Sequence, residues 1–303
     1  MKLELIQFPN TENIFLPGLL FEPENGSDKI LIFLHGNGSS GGFYSVELQN
    51  IFGKNLTVNG ISYFTFTNTG GHLIQKFDKI SAGKKERVVA GSAFELIKDC
   101  VSDIDGAINY LKGRGYKHFY LIGASTGANK ICVYNLYKRN NIVEKYILES
   151  GGDDSGLYYN EVGDEKFKKT VQICQKKIKE GKRRDLVPKD LYDIPISHQS
   201  LFDQINPDGD YNIFPFYWQL NAIMIMKKAP WEEIKKINKP TLVIYGDKDE
   251  YYYGKVQECV GLIKNAVSGK ENFYFEIIRG ADHAYFGKRK ELVDKVVKFL
   301  KKK

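Results

Sequence analysis

Tryptophan (2 residues), methionine (3), cysteine (4), histidine (5) and proline (9) are all scarce in this chain of 303 residues. The four cysteines, Cys100, Cys132, Cys174 and Cys259, stand far apart with no CxxC, and no histidines accompany them at metal-ligand spacing. Neither a disulfide framework nor a metal site is expected on that pattern. No apolar run approaches the roughly 20 residues that span a bilayer. The opening Met1-Lys2-Leu3-Glu4-Leu5 carries an acid where a signal peptide needs its apolar stretch. The expectation is a cytoplasmic protein without membrane insertion. Lys and Arg exceed Asp and Glu by 44 to 37, for a net charge of +7, with much of the excess in residues 166–189 and in Lys298, Lys301, Lys302 and Lys303. These runs lack the interleaved aromatics of a nucleic-acid surface and read as solvated helix faces, so no nucleic-acid partner is expected.

What the chain does have is an ordinary globular balance, 42% apolar and 27% charged, and an abundance of glycine, 29 residues. Many of those glycines directly follow short apolar runs, where an α/β chain must turn sharply. Alternation or short β-rich runs mark eight strands: residues 3–8, 14–20, 29–34, 61–67, 119–122, 145–149, 241–245 and 273–278. Helical spacing marks residues 94–112, 128–140, 256–265 and 291–301. Two early strands followed by alternating strand and helix predict a mostly parallel eight-stranded sheet, flanked by helices, with an antiparallel start. Length alone suggests two units, but the pattern predicts one discontinuous domain, residues 1–150 and 239–303, with a cap at 151–238. That insertion holds a helical pattern around 166–180, a Pro-punctuated stretch at 187–195, and the aromatic cluster Phe214, Phe216, Tyr217 and Trp218. A second insertion, residues 69–92, is polar and reads as a long loop over the sheet edge.

After the strand at 119–122 comes Gly123-Ala124-Ser125-Thr126-Gly127, and a helical pattern begins at once. This is G-x-S-x-G in its strand–turn–helix context, in which a nucleophilic serine stands on a turn so tight that the positions two before and two after it need glycine. The strand at 273–278 ends in Arg279-Gly280-Ala281-Asp282-His283. His283 alone of the five histidines follows the last strand and precedes the closing helix, where a base for Ser125 belongs. For the acid that orients it, Asp249 in Gly246-Asp247-Lys248-Asp249-Glu250 fits best, with Asp247 a turn residue. Glu250, and Asp153 or Asp154 after the preceding strand, remain alternatives. The strand at 29–34 runs into His35-Gly36-Asn37-Gly38-Ser39-Ser40.

In that order, the HGNG turn, the elbow Leu121–Gly127, the GDKDE loop and the terminal GADH resemble the α/β-hydrolase superfamily across nearly the whole chain. More narrowly, the Ser-Thr-Gly of the elbow, Glu149-Ser150-Gly151-Gly152-Asp153-Asp154, and Ile178-Lys179-Glu180-Gly181-Lys182 ahead of Leu186-Val187-Pro188 are similar to a group that includes fungal siderophore esterases, best known as a domain of unknown function. Ala124 stands where that group usually has histidine, and the 69–92 stretch is a second departure. The resemblance implies an α/β-hydrolase fold with a helical lid, and ester hydrolysis through an acyl-enzyme on Ser125, His283 and Asp249. The backbone N–H groups of Asn37 and Thr126 would form the oxyanion hole. It implies no cofactor, no metal and a small-molecule ester as partner. Phe214, Phe216, Tyr217 and Trp218 would line an acyl or aryl pocket or else form the lid's own small core. Thioester, lactone, peptide or carbon–carbon hydrolysis on the same scaffold, and a non-catalytic binding protein, are the competing readings.

Overall fold

The computed structural model describes residues 1–38, 41–43 and 45–302. The chain opens with β1 (Lys2–Pro9), β2 (Phe15–Glu22), β3 (Lys29–Leu34), α1 (Val46–Val58) and β4 (Ser62–Phe66). A hairpin of β5 (Gln75–Ser81) and β6 (Lys84–Ala90) precedes α2 (Cys100–Gly113), β7 (His118–Ala124), α3 (Thr126–Tyr137) and β8 (Val143–Glu149). Next come α4 (Asp154–Lys179), α5 (His198–Ile205), α6 (Phe216–Leu220) and α7 (Glu232–Lys235). The chain closes with β9 (Thr241–Gly246), α8 (Val256–Ala266), β10 (Phe273–Ile278) and α9 (Arg289–Lys301).

Eight strands form one sheet in the order β1-β2-β4-β3-β7-β8-β9-β10. The β1–β2 and β2–β4 pairs are antiparallel and the remaining pairs parallel. All eight expected strands are present. The period of two explains how one strand serves two cores. On β3, Ile30, Ile32 and Leu34 face a cluster shared with α2, α3 and α8, whereas Leu31 and Phe33 face the one built with α1 and α9. Both faces of the central sheet are thereby covered, and its inner strands read as unbroken apolar runs. Between β8 and β9, a third cluster joins Tyr158, Phe167, Cys174, Leu201, Ile205 and Trp218. No helix among the described residues is long and apolar enough to cross a membrane. The four cysteines are buried and unpaired.

The structure corrects three expectations. Residues 69–92 are not simply a loop, because β5 and β6 pair antiparallel through a two-residue turn at Ala82-Gly83, with φ of 47° and 75°. Such a turn is ordinarily announced by Asn-Gly or Asp-Gly, and the charged run Lys84-Lys85-Glu86-Arg87 further disguises the strand. Lys85 and Arg87 reach across to Asp78 at 2.8 and 3.3 Å. Helix α1 was not anticipated, since its inner face includes Gln49, Gly53 and Thr57 beside Phe52 and Leu56. Gly53 fits there because a Cβ would lie 2.3 Å from the Phe21 ring. Finally, α2 begins at Cys100 instead of residue 94. Leu96 is extended, with its N–H donating to Asp99 Oδ2 at 3.0 Å, and a 3₁₀ turn at Ile97–Asp99 leads into the helix.

Candidate active site

Ser125 stands between the end of β7 and the first turn of α3 with φ 54° and ψ −126°, a backbone conformation costly for any residue but glycine. Its N–H donates to Glu149 O at 2.8 Å on the neighbouring strand, and its own carbonyl accepts from Ala128 N–H at 2.8 Å. The flanking glycines have a backbone reason. A Cβ at Gly123 would lie 2.1 Å from Gly127 O, and one at Gly127 would lie 2.1 Å from Leu34 O. The spacing read from the sequence is therefore a close approach of three backbone segments under one serine.

His283 sits on the loop after β10, and its Nδ1 lies 2.9 and 3.0 Å from the two carboxylate oxygens of Asp249. Asp249 is only 2% exposed. Neighbouring residues tie the two loops together. Asp247 Oδ1 accepts from Gly280 N–H at 2.6 Å, Lys248 N–H donates to Ala281 O at 2.9 Å, and Glu250 accepts the His283 N–H at 3.1 Å. The alternative acids have other engagements. Asp153 caps α4 through Gly156 N–H and also accepts from Tyr217 N–H and Tyr253 OH, while Asp154 meets Gln204 Nε2 at 3.4 Å. Burial of the His283 ring works against its charged form. The hydrogen bond and charge of Asp249, with Glu149 and Glu250 beyond, outweigh burial and hold its pKa above the ordinary imidazole value. Tyr251 packs edge-on against the imidazole, with ring centres 4.6 Å apart.

A cavity of about 330 Å³ opens over these groups, and Ser125, Thr126, Asn37 and His283 all contribute to its wall. Among the described residues no hydrogen bond joins Ser125 Oγ to His283, whose Nδ1 is taken by Asp249. The turn after β3 runs against the serine: a Cβ on Gly36 would lie 3.1 Å from Ser125 Cβ. His35 holds that turn, its Nδ1 paired with Gly36 O at 2.8 Å and its Nε2 accepting from Asn68 N–H at 3.1 Å. Burial, then the nearby Lys130 charge, push its pKa down to about 3, so this histidine is a neutral structural group. Thr126 is the first residue of α3, and the positive end of that helix points at the cavity. Ser39 and Ser40, which complete the HGNGSS turn, lie outside the described residues.

The four aromatics offered as a pocket line no part of this cavity. Phe214 and Phe216 are fully buried in the main core beside Tyr245 and Tyr252. Trp218 belongs to the cluster between β8 and β9, and Tyr217 packs on Trp218 and Tyr253. Trp218, with the half-buried Tyr217 packed on it, belongs to the insertion's own small core, whereas Phe214 and Phe216 join the main core, a place that neither reading of the sequence gave them. The wall holds instead Glu149, Tyr251 and Arg289, which the sequence did not single out for it, together with Asp154, one of the alternative acids. Tyr251 directly follows the GDKDE loop and was legible as its neighbour. Glu149 was not, since a glutamate closing an apolar strand usually points to solvent.

The family described as "Protein of unknown function (DUF1749)" matches residues 92–301. No curated protein matches the sequence. Among solved structures, the siderophore hydrolase EstB from Aspergillus fumigatus is similar at 14% identity and a TM-score of 0.65, with 99% of this chain and 98% of that chain covered. The esterase Pf2001 from Pyrococcus furiosus is similar at 17% identity and a TM-score of 0.59, covering 99% and 91%. Est1E from Butyrivibrio proteoclasticus, with ferulic acid bound, is similar at 15% identity and a TM-score of 0.60, covering 97% of each chain. At these identities the likeness is one of fold, and the fold is that of the α/β-hydrolases.

Proposed function

Because the chain belongs to the DUF1749 family and carries an α/β-hydrolase fold, we propose that it is a serine hydrolase cleaving a carboxylic ester through an acyl-enzyme. The observation that carries this reading is the meeting, in one cavity, of a serine on a strained elbow with a histidine whose far nitrogen is held by a buried aspartate. The hydrolases among its structural neighbours support the reaction class.

Ser125 Oγ attacks the ester carbonyl carbon as its proton passes to His283 Nε2. Asp249 keeps the imidazole in the tautomer that leaves Nε2 able to accept, and stabilises the cation that forms. The carbonyl oxygen, now anionic, is held by the backbone N–H groups of Asn37 and Thr126, the second aided by the α3 dipole. Collapse breaks the bond to the alcohol oxygen, which takes the proton back from His283. Water then repeats the sequence against the acyl group and frees Ser125. Closure of the Ser125–His283 hydrogen bond accompanies substrate binding, when catalytic contacts tighten.

Residues 151–238 serve as a lid over the catalytic domain of 1–150 and 239–303, and the apolar cluster around Tyr158, Phe167 and Trp218 supports a unit with packing of its own. The buried, unpaired thiols accord with a cytoplasmic enzyme. Its partner is a small-molecule ester. Ser125→Ala tests the reading: turnover of a nitrophenyl ester falls to background in a protein that unfolds at the wild-type temperature. Retained turnover overturns it.

A further inference from the structure

Two carboxyl groups on the wall of the Ser125 cavity form no ion pair with a cation among the described residues. Glu149, the last residue of β8, is 3% exposed, and its Oε2 has no hydrogen-bond partner among the described residues. Asp154, the first residue of α4, leaves its Oδ2 equally without a partner, while its carboxyl is otherwise met by its own backbone N–H and by Gln204 Nε2 at 3.4 Å from Oδ1. Buried carboxyls are ordinarily matched by a donor or a cation.

The charged groups around them are already committed. Glu149 faces Arg289, His283 and Asp249, with the hydroxyls of Tyr63 and Tyr285. Arg289 pairs with Glu47 and donates to Ala284 O, and His283 pairs with Asp249. Asp154 faces His283, Lys130, Asp153, Tyr192, Tyr211 and Tyr253. Lys130 is 2.6 Å from Glu95. Asp154 and the amide assigned to the oxyanion both approach Gly152, since a Cβ there would lie 3.0 Å from Asp154 Oδ2 and 3.9 Å from Thr126 N. A carboxylate there opposes the negative charge that develops during attack, unless a cation arrives with the substrate.

We propose that the site is built for esters that carry a protonated amine, with the ammonium recognised by the carboxylates of Glu149 and Asp154. This rests on the serine-hydrolase reading and narrows its substrate class. The chain's positive excess does not contradict it, because the runs of lysine lie in residues 166–189 and at the tail while the unpaired charges of the cavity are acidic. Burial, ahead of the neighbouring charges, pushes Glu149 up to about 7 and Asp154 up to about 6, so both are stored partly protonated until a cation displaces the proton.

The test compares kcat/KM for three nitrophenyl esters of matched length, an aminocaproate, a heptanoate and an adipate half-ester, in the wild type and in Glu149→Gln, Asp154→Asn and the double variant. The wild type favours the aminocaproate over the heptanoate by about tenfold or more, with the adipate slowest, and the double variant brings the first two rates together. Wild-type heptanoate turnover equal to or faster than aminocaproate turnover overturns the inference while leaving the hydrolase reading intact. So does a preference that survives in a folded double variant. Should the variants not fold, the wild-type series decides alone, with hexylamine inhibiting heptanoate hydrolysis more tightly than hexanol as the companion measurement; equal inhibition overturns the inference. No turnover of any ester, with no fluorophosphonate adduct on Ser125, overturns both readings together.

Discussion

At the scale of the residue, chemistry that imposes a local pattern was legible and chemistry that does not was hidden. Ser125 announced itself because its elbow forces glycine at positions 123 and 127, and His283 because only one histidine follows the last strand. Asp249 was the best of several acids in the sequence, and its carboxylate lies 2.9 Å from His283 Nδ1. Asp249→Asn is expected to lower kcat by about 10⁴-fold, through loss of the correct tautomer and of the charge facing the imidazolium. Asp153→Asn is expected to lower the unfolding temperature with a far smaller effect on rate, because its carboxylate serves Gly156, Tyr217 and Tyr253. The proposed mechanism needs the neutral imidazole, and the His283 pKa is raised. The acid limb of kcat/KM therefore lies above the ordinary value of 6.5, and steady-state rates across pH should show it moving down in Asp249→Asn. Glu149 carries the opposite lesson, since only the fold reveals that its carboxyl is buried. Its folded pKa of about 7 exceeds the ordinary 4.5, so stability is fully present below the lower value and is lost as pH rises through the higher one. Denaturant titrations of Glu149→Gln should show little gain at acid pH and as much as about 3 kcal/mol above neutrality.

At the scale of the element, the inner sheet strands could be found because burial on both faces leaves continuous apolar runs, and the edge strand β1 because apolar and polar residues alternate along it. What escaped were elements stabilised by something other than a repeating apolar pattern. Helix α1 buries Gln49, Gly53 and Thr57 along with Phe52 and Leu56, so its inner face does not read as apolar. The β5–β6 hairpin depends on cross-strand charge pairs and on one buried ring, Phe77. Its turn supplies a direct test. Ala82 occupies the left-handed region at φ 47°, where asparagine is better tolerated. Ala82→Asn should stabilise the protein by about 0.5–1 kcal/mol, read as a higher midpoint in thermal unfolding. An unchanged or lower midpoint would count against the turn geometry.

At the scale of the whole molecule, chain length suggested two units and the charge sum suggested a basic surface, and neither pointed to the site. The topology does. β3, β7 and β9 end in the turns that carry Asn37, Ser125 and Asp249, β10 ends in the loop of His283, and β8 between them ends at Glu149. Parallel strands deliver all of these chain positions to one edge of the sheet, the usual place for a ligand in an α/β fold. This convergence draws together residues more than a hundred positions apart, from Asn37 to His283, which no local reading of the chain can measure. The central claim is that the convergence activates Ser125. Treating the folded protein with a fluorophosphonate and mapping the adduct by mass spectrometry tests that claim most directly. A single adduct on Ser125, absent from Ser125→Ala and much slower to form in His283→Ala, is the predicted result; a folded wild-type protein that takes no adduct at Ser125 would contradict it.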